Sequence, residues 1–391
     1  MRSTSSRVMS IIVVTAAAVA ACSTSDGTGP VPSAAAQAPA LNVELVTGGL
    51  THGWDIGFLP DGKVLVTQRT GAIALLSSGL PGATVTTLKA DTSTVQVRGE
   101  GGLMGLVVHP DFATSREFTT CQTQTENGAP ADIRLVTWRL TEDETTATRV
   151  KELLTGLPLA ANGRHSGCRP TLAADGALLV GTGDSARGAV PQDKTSLGGK
   201  VLRIDLKTGT PLPDNPTPGS PVFTYGHRNV QGVAIRPGTG QVLTAEHGPD
   251  KNDEINLLVP GANYGWDPSQ GGTVSGYDES VPMTDLDRFP DAIPAKWESG
   301  DTTEAICATA FLTGPQWGTV DGALVATALK GAKLLLYTLD TEANVTSVTI
   351  PPEFADQYGR LRASRTAPDG ALYVTTSNGT DDKLLRITPK P

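Results

Sequence analysis

The chain has 391 residues and a formal net charge of −9, with 31 Lys and Arg against 40 Asp and Glu. An acidic chain without a basic run lacks the positive footprint that nucleic-acid binding requires, so we expect no nucleic-acid partner. Its 44 glycines and 28 prolines divide the sequence into short apolar runs with almost no helical periodicity. This pattern is typical of an all-β protein with many turns.

The first 21 residues have the composition of an export signal. Two arginines precede a short apolar run at 8–19, and two alanines stand directly before Cys22. A basic region, an apolar core and small residues before a cleavage point are typical of a secretory signal. The apolar run is shorter than the roughly 20 residues of a transmembrane helix. The small pair before cysteine resembles a bacterial lipobox, so we expect Cys22 to be lipidated and the mature protein to be anchored to the outer face of a bacterial cell membrane.

Residues 23–40 are mostly Ser, Gly, Pro and Ala, with almost no large apolar side chain. Such a segment cannot bury enough surface to order itself. We therefore predict that residues 22–40 form a lipidated cysteine followed by a flexible tether. The remainder, 41–391, is long enough for two domains, although one large all-β domain is equally compatible with that length.

A recurring phrase in residues 41–391 favours one domain. A turn at Asp-Gly or Gly-x-Gly, followed by an apolar run, occurs at Asp61, Asp175, Gly238, Asp321 and Asp369, and a related turn occurs at Asp111. Six unevenly spaced units predict six small antiparallel sheets with loop insertions, which is a six-bladed β-propeller. Segments 42–50 and 383–388 are expected to share one blade and close the ring, which protects the sheet edges. We interpret the turns as structural, because Asp and Gly tolerate positive φ.

Three cysteines remain after removal of the export signal and Cys22: Cys121, Cys168 and Cys307. Exported proteins meet conditions that permit disulfides, and an odd count leaves one thiol over. We predict a disulfide between Cys121 and Cys168, because both lie in strand-like segments near the start of the central blades. Cys307 remains an alternative partner.

A histidine and an aspartate occur where adjacent strands of one blade would bring them together. His165 lies on a loop before a strand, and Asp184 ends the next apolar run. A carboxylate beside a histidine fixes its tautomer and raises its basicity, so the pair would form a general base. A purely structural histidine is the alternative interpretation.

Residues 225–266 concentrate polar groups around two short strands. Arg228 and Asn229 precede the first strand, and a loop with two carboxylates follows the second. Carboxylates packed near backbone carbonyls provide the oxygen ligands that Ca²⁺ prefers. A solvated acidic turn is the competing interpretation. The candidate metal ligands are Gly248, Pro249, Asp253 and Glu254.

Three cations come from two distant segments. Lys330 ends one strand, whereas Arg360 and Arg362 are two residues apart and would share a strand face. Arginine provides bidentate contacts and lysine a point charge, so the set fits an anion with several carboxylates. A solvated, exposed set is the alternative.

In this order, the motifs resemble those of the soluble quinoprotein sugar dehydrogenases, the glucose/sorbosone dehydrogenase family. The segment GHRNVQG carries Val230 where the family usually has proline, and EHGPDKNDEIN and NYGW follow it. The resemblance extends from about Leu41 to the C-terminus. It implies a six-bladed propeller, in agreement with the repeats.

The resemblance also implies an activity: oxidation of an aldose sugar at C1 to the lactone, dependent on pyrroloquinoline quinone (PQQ) and Ca²⁺, with electrons passed to an external acceptor. His165 would be the general base, Asp184 its support, and Arg228 the group that polarises the quinone oxygen. The further residues implied at the cofactor are Glu100, Asn229, Lys330, Arg360 and Arg362. Glu100 stands where the family often has Gln, a departure that replaces a neutral contact with a charge.

For calcium, the resemblance implies two ions. One, on the quinone, would use the carbonyls of Gly248 and Pro249. A second, structural ion would use Asp253, Glu254 and the carbonyl of Tyr264.

Two other functions remain open at this point. A Ca²⁺-dependent lactonase-like hydrolase would need a metal-bound water and no cations gathered for an organic anion. A binding module could retain the propeller without catalysis, since fold does not decide function. The combination of His165, Arg228 and the three cations argues against both.

Overall fold

The computed structural model describes residues 39–274 and 276–390. The export signal, the lipidation site Cys22 and most of the tether lie outside these residues and stay predictions. No helix in the described residues is long and apolar enough to span a membrane.

The strands form six four-stranded antiparallel sheets. Strand β1 is Leu41–Leu50. Blade 1 contains β2 (Gly53–Phe58), β3 (Val64–Gln68), β4 (Ile73–Leu76) and β5 (Val85–Thr87). Blade 2 contains β6 (Leu103–Val108), β7 (Glu117–Glu126), β8 (Ala129–Leu140) and β9 (Ala147–Leu157). Blade 3 contains β10 (Arg169–Leu172), β11 (Ala177–Gly181), β12 (Lys200–Asp205) and β13 (Val222–Tyr225).

The second half of the chain continues this arrangement. Blade 4 contains β14 (Val230–Ile235), β15 (Val242–Glu246), β16 (Glu254–Leu257) and β17 (Trp297–Glu298). Blade 5 contains β18 (Ile306–Phe311), β19 (Leu324–Ala328), β20 (Leu334–Leu339) and β21 (Val345–Thr349). Blade 6 contains β22 (Leu361–Thr366), β23 (Leu372–Thr376), β24 (Asp382–Pro389) and β1. The described helices are one short α-helix, α1 (Phe112–Ser115), and two 3₁₀ turns, Pro315–Val320 and Pro352–Phe354.

The ring closes as the sequence predicts. β1 is the outermost strand of blade 6 and pairs with β24, from Leu41 opposite Pro389 to Leu50 opposite Asp382. Each innermost strand also contacts the innermost strand of the next blade, and β22 contacts β2. The predicted six-bladed β-propeller is therefore confirmed.

The recurring turns are structural. Each of the six lies between the innermost and second strands of a different blade. The carboxylates of Asp61 and Asp175 accept hydrogen bonds from backbone N–H groups two residues ahead, at 3.2 and 3.0 Å. The glycine that follows Asp175 has a φ of 85°, a conformation that disfavours a side chain.

The apolar core fills the space between neighbouring blades. One cluster joins blades 5 and 6 and includes Trp317, Leu336 and Phe354, all of which are buried. Burial of each such side chain contributes about 1.5–3 kcal/mol. A disulfide joins Cys121 in β7 to Cys168 before β10, with Cα atoms 6.2 Å apart, and Cys307 is a buried free thiol.

All six innermost strands begin their blades, so their first residues meet at one end of the central channel. The loops before these strands, and the hairpins between second and third strands, open at that same end. Residues distant in sequence therefore converge there.

Candidate active site

A pocket of about 340 Å³ opens at the end of the channel where the innermost strands begin. Its volume lies within the range of small-molecule sites. Seven of the predicted site residues line it: Glu100, His165, Arg228, Asn229, Gly248, Pro249 and Lys330. The loop residues Arg164, His247, Asp250, Thr303 and Ala305 complete the lining.

His165 and Asp184 form a buried pair beside the pocket. Nδ1 of His165 lies 2.8 Å from Oδ1 of Asp184. Asp184 follows β11, which runs antiparallel to β10, so the two residues reach the same end of blade 3. A carboxylate only accepts hydrogen bonds, so Nδ1 carries the hydrogen and Nε2 is the basic nitrogen.

Three further donors fix the Asp184 carboxylate. The indole N–H of Trp266 and the hydroxyl of Tyr277 donate to Oδ2 at 2.9 and 2.6 Å. The backbone N–H of Ala186 donates to Oδ1 at 2.7 Å. Burial, and next the charge of Asp184, raise the pKa of Tyr277, so this hydroxyl remains a donor. Trp266 is fully buried and therefore supports Asp184 rather than offering a surface for a sugar ring.

Arg228 is held at the pocket wall by two side-chain hydrogen bonds. Nη1 donates to the carbonyl of His247 at 3.0 Å, and Nη2 donates to Glu279. The buried Nε has no hydrogen-bond partner in the described residues. The guanidinium carbon lies 5.7 Å from the ring centroid of Trp266. Arg228 therefore has a free N–H group for a ligand.

Glu100, the departure from the family pattern, ties two predicted site residues together. Its carboxylate accepts the backbone N–H of His165 at 3.2 Å and the side-chain amide of Asn229 at 2.9 Å. The amide oxygen of Asn229 in turn accepts the N–H of Gly167 at 3.1 Å. The carboxylate at position 100 thus has protein partners and braces the loop that carries the base.

The three predicted cations lie at the same end of the channel without acidic partners. Lys330 and Arg360 are exposed and Arg362 is buried. Within residues 39–274 and 276–390, none of them forms an ion pair within 4.0 Å of a carboxylate. Nη1 of Arg362 donates to Gln231 at 3.0 Å, and its buried Nε has no described partner.

The predicted calcium ligands divide into two groups. The carbonyls of Gly248 and Pro249 belong to the pocket lining and accept no hydrogen bond from the described residues. Among these residues, no three His, Cys, Asp or Glu side chains converge on a point that could hold a metal. A calcium ion here would therefore depend on backbone oxygens.

Asp253, a predicted ligand of the second calcium ion, is bonded to its own loop and to the segment before β18. Its two carboxylate oxygens accept four hydrogen bonds, from Gly248 N–H, Thr303 hydroxyl, Glu304 N–H and Ile306 N–H. These bonds fasten the loop after β15 to the segment before β18. Asp253 therefore has a structural role, and its sharing of an ion with Glu254 stays a prediction.

Glu254 instead faces a second carboxylate. It lies opposite Glu246 on the neighbouring strand, and both are buried. Burial, and next the charge of Glu246, raise the pKa of Glu254 well above its ordinary value. The amide of Asn256 donates to Glu254 at 3.1 Å, and its oxygen has no described partner. Tyr264 is buried nearby, and its ring stacks on the ring of His227 with the two centroids 4.5 Å apart. His227 in turn pairs with Glu246.

Comparison with known proteins identifies the family. The family model for glucose/sorbosone dehydrogenases matches residues 50–386. This chain belongs to the glucose/sorbosone dehydrogenase family.

Other proteins resemble this chain along nearly its whole length. Aldose sugar dehydrogenase YliI of Escherichia coli K12 is 29% identical over 363 residues, which cover 90% of this chain and 94% of that protein. The PQQ-bound aldose sugar dehydrogenase of Streptomyces coelicolor has a TM-score of 0.73 at 29% identity, with 90% and 99% of the two chains covered. The soluble aldose sugar dehydrogenase of Escherichia coli in its apo form has a TM-score of 0.77 at 27% identity, with 90% and 100% covered.

Four residues at this site were not predicted from sequence. Tyr277 and Glu279 belong to the long connection between β16 and β17, which has no periodic pattern. Arg164 directly precedes His165 in the sequence, and its residue type alone does not indicate a role. Arg69 follows β3, and burial, and next the charges of Arg362 and Arg360, lower its pKa, which places it in their cationic cluster. No single sequence signal distinguishes these residues from ordinary loop positions.

Proposed function

We propose that this protein is a PQQ- and Ca²⁺-dependent sugar dehydrogenase that oxidises an aldose at C1 to the lactone and passes the electrons to an external acceptor. The observation that carries the proposal is the His165–Asp184 pair, buried beside a pocket at the channel end where Lys330, Arg360 and Arg362 lie without acidic partners among the described residues. The name of the PQQ-bound Streptomyces coelicolor relative, an aldose sugar dehydrogenase, supports it.

The donor groups fit a polar, multiply anionic cofactor. Nε of Arg228 and Nε of Arg362 are buried without a partner, and an unsatisfied buried donor costs about 1–3 kcal/mol. A ligand with carboxylate and carbonyl oxygens would satisfy both. Lys330, Arg360 and Arg362 would hold its carboxylates, while Arg228 and Asn229 would contact its ring oxygens. Bound PQQ would supply the redox chemistry by accepting hydride from the sugar.

The protein's own residues supply the proton transfer. Nε2 of His165 would accept the proton of the C1 hydroxyl as hydride leaves C1. Asp184, already bonded to Nδ1, would stabilise the resulting imidazolium. Trp266 and Tyr277 keep the Asp184 carboxylate in the orientation that this requires.

The oxygen ligands present also fit calcium. The unpartnered carbonyls of Gly248 and Pro249 would bind an ion at the cofactor, where a divalent cation acts as a Lewis acid. Glu254, Glu246 and the free oxygen of Asn256 would favour a second ion, because two buried carboxylates repel each other without a cation. The carbonyl of Tyr264 is a further candidate ligand for this ion.

We further propose that the protein acts outside the cytoplasm, anchored to the outer face of the bacterial cell membrane through a lipid on Cys22. The support for this location is the N-terminal sequence alone. Metabolic labelling with a fatty acid, compared between the natural chain and Cys22→Ala, tests it, and labelling that survives the substitution contradicts it.

Reconstitution of residues 23–391 with PQQ and Ca²⁺ tests the function. The visible spectrum of the bound quinone is recorded before and after each of a panel of aldoses. Bleaching of the quinone band by an aldose, together with lactone formation, is the expected result. Folded protein that binds no PQQ in the presence of Ca²⁺ would overturn the proposal.

A further inference from the structure

An ion pair lies directly against the basic nitrogen of His165. Nη2 of Arg164 contacts both carboxylate oxygens of Glu279 at 2.9 Å. The same Nη2 lies 3.4 Å from Nε2 of His165. Because Nδ1 is bonded to Asp184, this is the nitrogen that would face the reacting hydroxyl. Any substrate that reaches the base must therefore lie beside the Arg164–Glu279 pair.

Glu279 is fixed there from a distant part of the chain. It belongs to the connection between β16 and β17, and it also accepts a hydrogen bond from Nη2 of Arg228. Two positions earlier, Tyr277 anchors the same segment to Asp184 at 2.6 Å. The carboxylate of Glu279 consequently lies between the guanidiniums of Arg164 and Arg228.

The ion pair remains accessible to a ligand. The side chains of Arg164 and Glu279 are 42% and 35% exposed, whereas those of His165 and Asp184 are 4% and 0% exposed. Partial burial opposes ionisation of Glu279, but the hydrogen bonds from Arg228 and Arg164, and next their charges, outweigh it and lower the pKa of Glu279, so it is an anion and a hydrogen-bond acceptor. Arginine is a donor only.

A sugar hydroxyl matches this pair chemically. A hydroxyl group donates one hydrogen bond and accepts two, so one hydroxyl can donate to Glu279 and accept from Arg164. With the C1 hydroxyl at Nε2 of His165, the hydroxyl on the neighbouring carbon is the one within reach of the pair. We propose that Arg164 and Glu279 form the subsite that recognises the C2 hydroxyl of the aldose. This rests on the proposed function and names its substrate class: aldoses with a free hydroxyl at C2.

The subsite predicts a specific selectivity. A 2-deoxy sugar would displace water from the ion pair without replacing its hydrogen bonds, and a site built to bind a hydroxyl rejects the analogue that lacks it. Because the pair is partly exposed, we expect a preference of at least about tenfold in kcat/KM for the hydroxylated sugar.

The test uses PQQ- and Ca²⁺-loaded protein and three matched pairs of sugars: glucose with 2-deoxyglucose, galactose with 2-deoxygalactose, and ribose with 2-deoxyribose. Steady-state kcat/KM is measured for the natural chain and for Glu279→Gln. The variant is expected to lower the preference for the hydroxylated sugar, measured as the ratio of the two kcat/KM values, at least fivefold. Glu142→Gln, at an exposed turn of blade 2, is the matched control.

A second measurement separates recognition from catalysis. In a His165→Ala background, which is expected to slow turnover, and without an external electron acceptor, calorimetry measures the binding of each sugar pair with and without Glu279→Gln. The substitution is expected to weaken binding of the hydroxylated sugar and to leave the 2-deoxy sugar nearly unchanged.

The outcomes are distinguishable. If Glu279→Gln lowers activity on both members of each pair equally, Glu279 acts only by placing Arg228, and the subsite is refuted. If the natural chain does not prefer the hydroxylated sugar, the subsite is also refuted, although the dehydrogenase stands. If loaded protein oxidises no aldose, the proposed function itself fails and the subsite falls with it.

Discussion

The two ends of the central channel are built by the same six strands and differ in chemistry. At the end where the innermost strands begin, here called the polar end, the pocket is lined by charged and polar loop residues. At the opposite end, here called the apolar end, a cavity of about 580 Å³ is lined mostly by apolar side chains from the last residues of those strands. These include Phe58, Val108, Leu172, Ile235 and Phe311.

A buried ion pair network lies behind the apolar end. Asp55, in β2, contacts Arg169 and Arg365 at 2.9 Å each, and Arg169 lies 4.0 Å from the ring centroid of Trp54. The loops that precede the strands therefore carry the candidate chemistry, whereas the opposite ends of the strands pack and stabilise the ring. This contrast predicts which substitutions impair activity and which impair stability.

The largest effect is expected at the polar end. His165→Ala removes the proposed general base, a contribution of about 10²–10⁴-fold in rate. Dye-linked kcat/KM on the best aldose should fall by that factor, while the thermal midpoint and the affinity for PQQ change little. Activity within a few-fold of the natural chain would show that His165 is not the base.

Behind the apolar end, Asp55→Asn should reduce the stability of the fold. It leaves Arg169 and Arg365 without a buried carboxylate, and breaking a buried ion pair costs about 3–5 kcal/mol. Chemical denaturation measures the free energy of unfolding. Asp175→Asn, which breaks an exposed pair with Arg203, is the control and should cost less than about 1 kcal/mol. Equal losses in the two variants would contradict the stabilising role of the ion pairs that Asp55 forms with Arg169 and Arg365.

A pH-dependent effect is expected from Lys200, which supports the polar end. Its Nζ donates to the carbonyls of Val190, Pro191 and Gly198, in the loop that follows Asp184. Burial lowers the pKa of Lys200 to about 7, below the value of about 10.4 for an unfolded chain. The unfolded state therefore binds more protons than the folded state between these values, and the free energy of unfolding rises with pH across that window.

Comparison of the natural chain with Lys200→Met at pH 7.5 and 9.5 checks this sign. We expect the natural chain to gain about 1–2 kcal/mol relative to the variant over that interval, as up to about 1.4 kcal/mol per pH unit follows from one proton. A pH dependence that is identical in both proteins would refute the assignment to Lys200.

The smallest effect on activity is expected at the apolar end. Ile235→Ser removes a partly buried apolar side chain there and should lower the free energy of unfolding by about 1–2 kcal/mol. The kcat/KM of the loaded enzyme should stay within twofold of the natural chain. A tenfold loss of activity with unchanged PQQ affinity would show that the two ends are functionally coupled.

Much of the fold could be predicted because its signals are local. Each Asp-Gly or related turn is encoded within a few residues, and its six occurrences report six blades even though the spacing is uneven. The pairing of β1 with β24 followed because a ring must cover its first and last sheet edges. The candidate base and its aspartate could be paired because antiparallel neighbours place adjacent strand ends together.

The amino-acid sequence is less informative where the direction of a side chain decides its role. The family resemblance implies that the adjacent Asp253 and Glu254 share one ion, but successive side chains at a strand point to opposite faces. One therefore fastens a loop and the other faces Glu246. The role of Tyr277 and Glu279 was not predicted, since the long connection that carries them has no pattern that reports where it folds back.

Local chemistry thus specifies the number of blades, the closing strand and most of the residues at the polar end, because turns, strand alternation and short motifs act over a few positions. Only the folded ring decides which of these groups touch. Contacts such as Glu279 with Arg164, or Asp55 with Arg365, join residues more than 100 positions apart. Their geometry depends on the packing of whole blades, which no local pattern encodes.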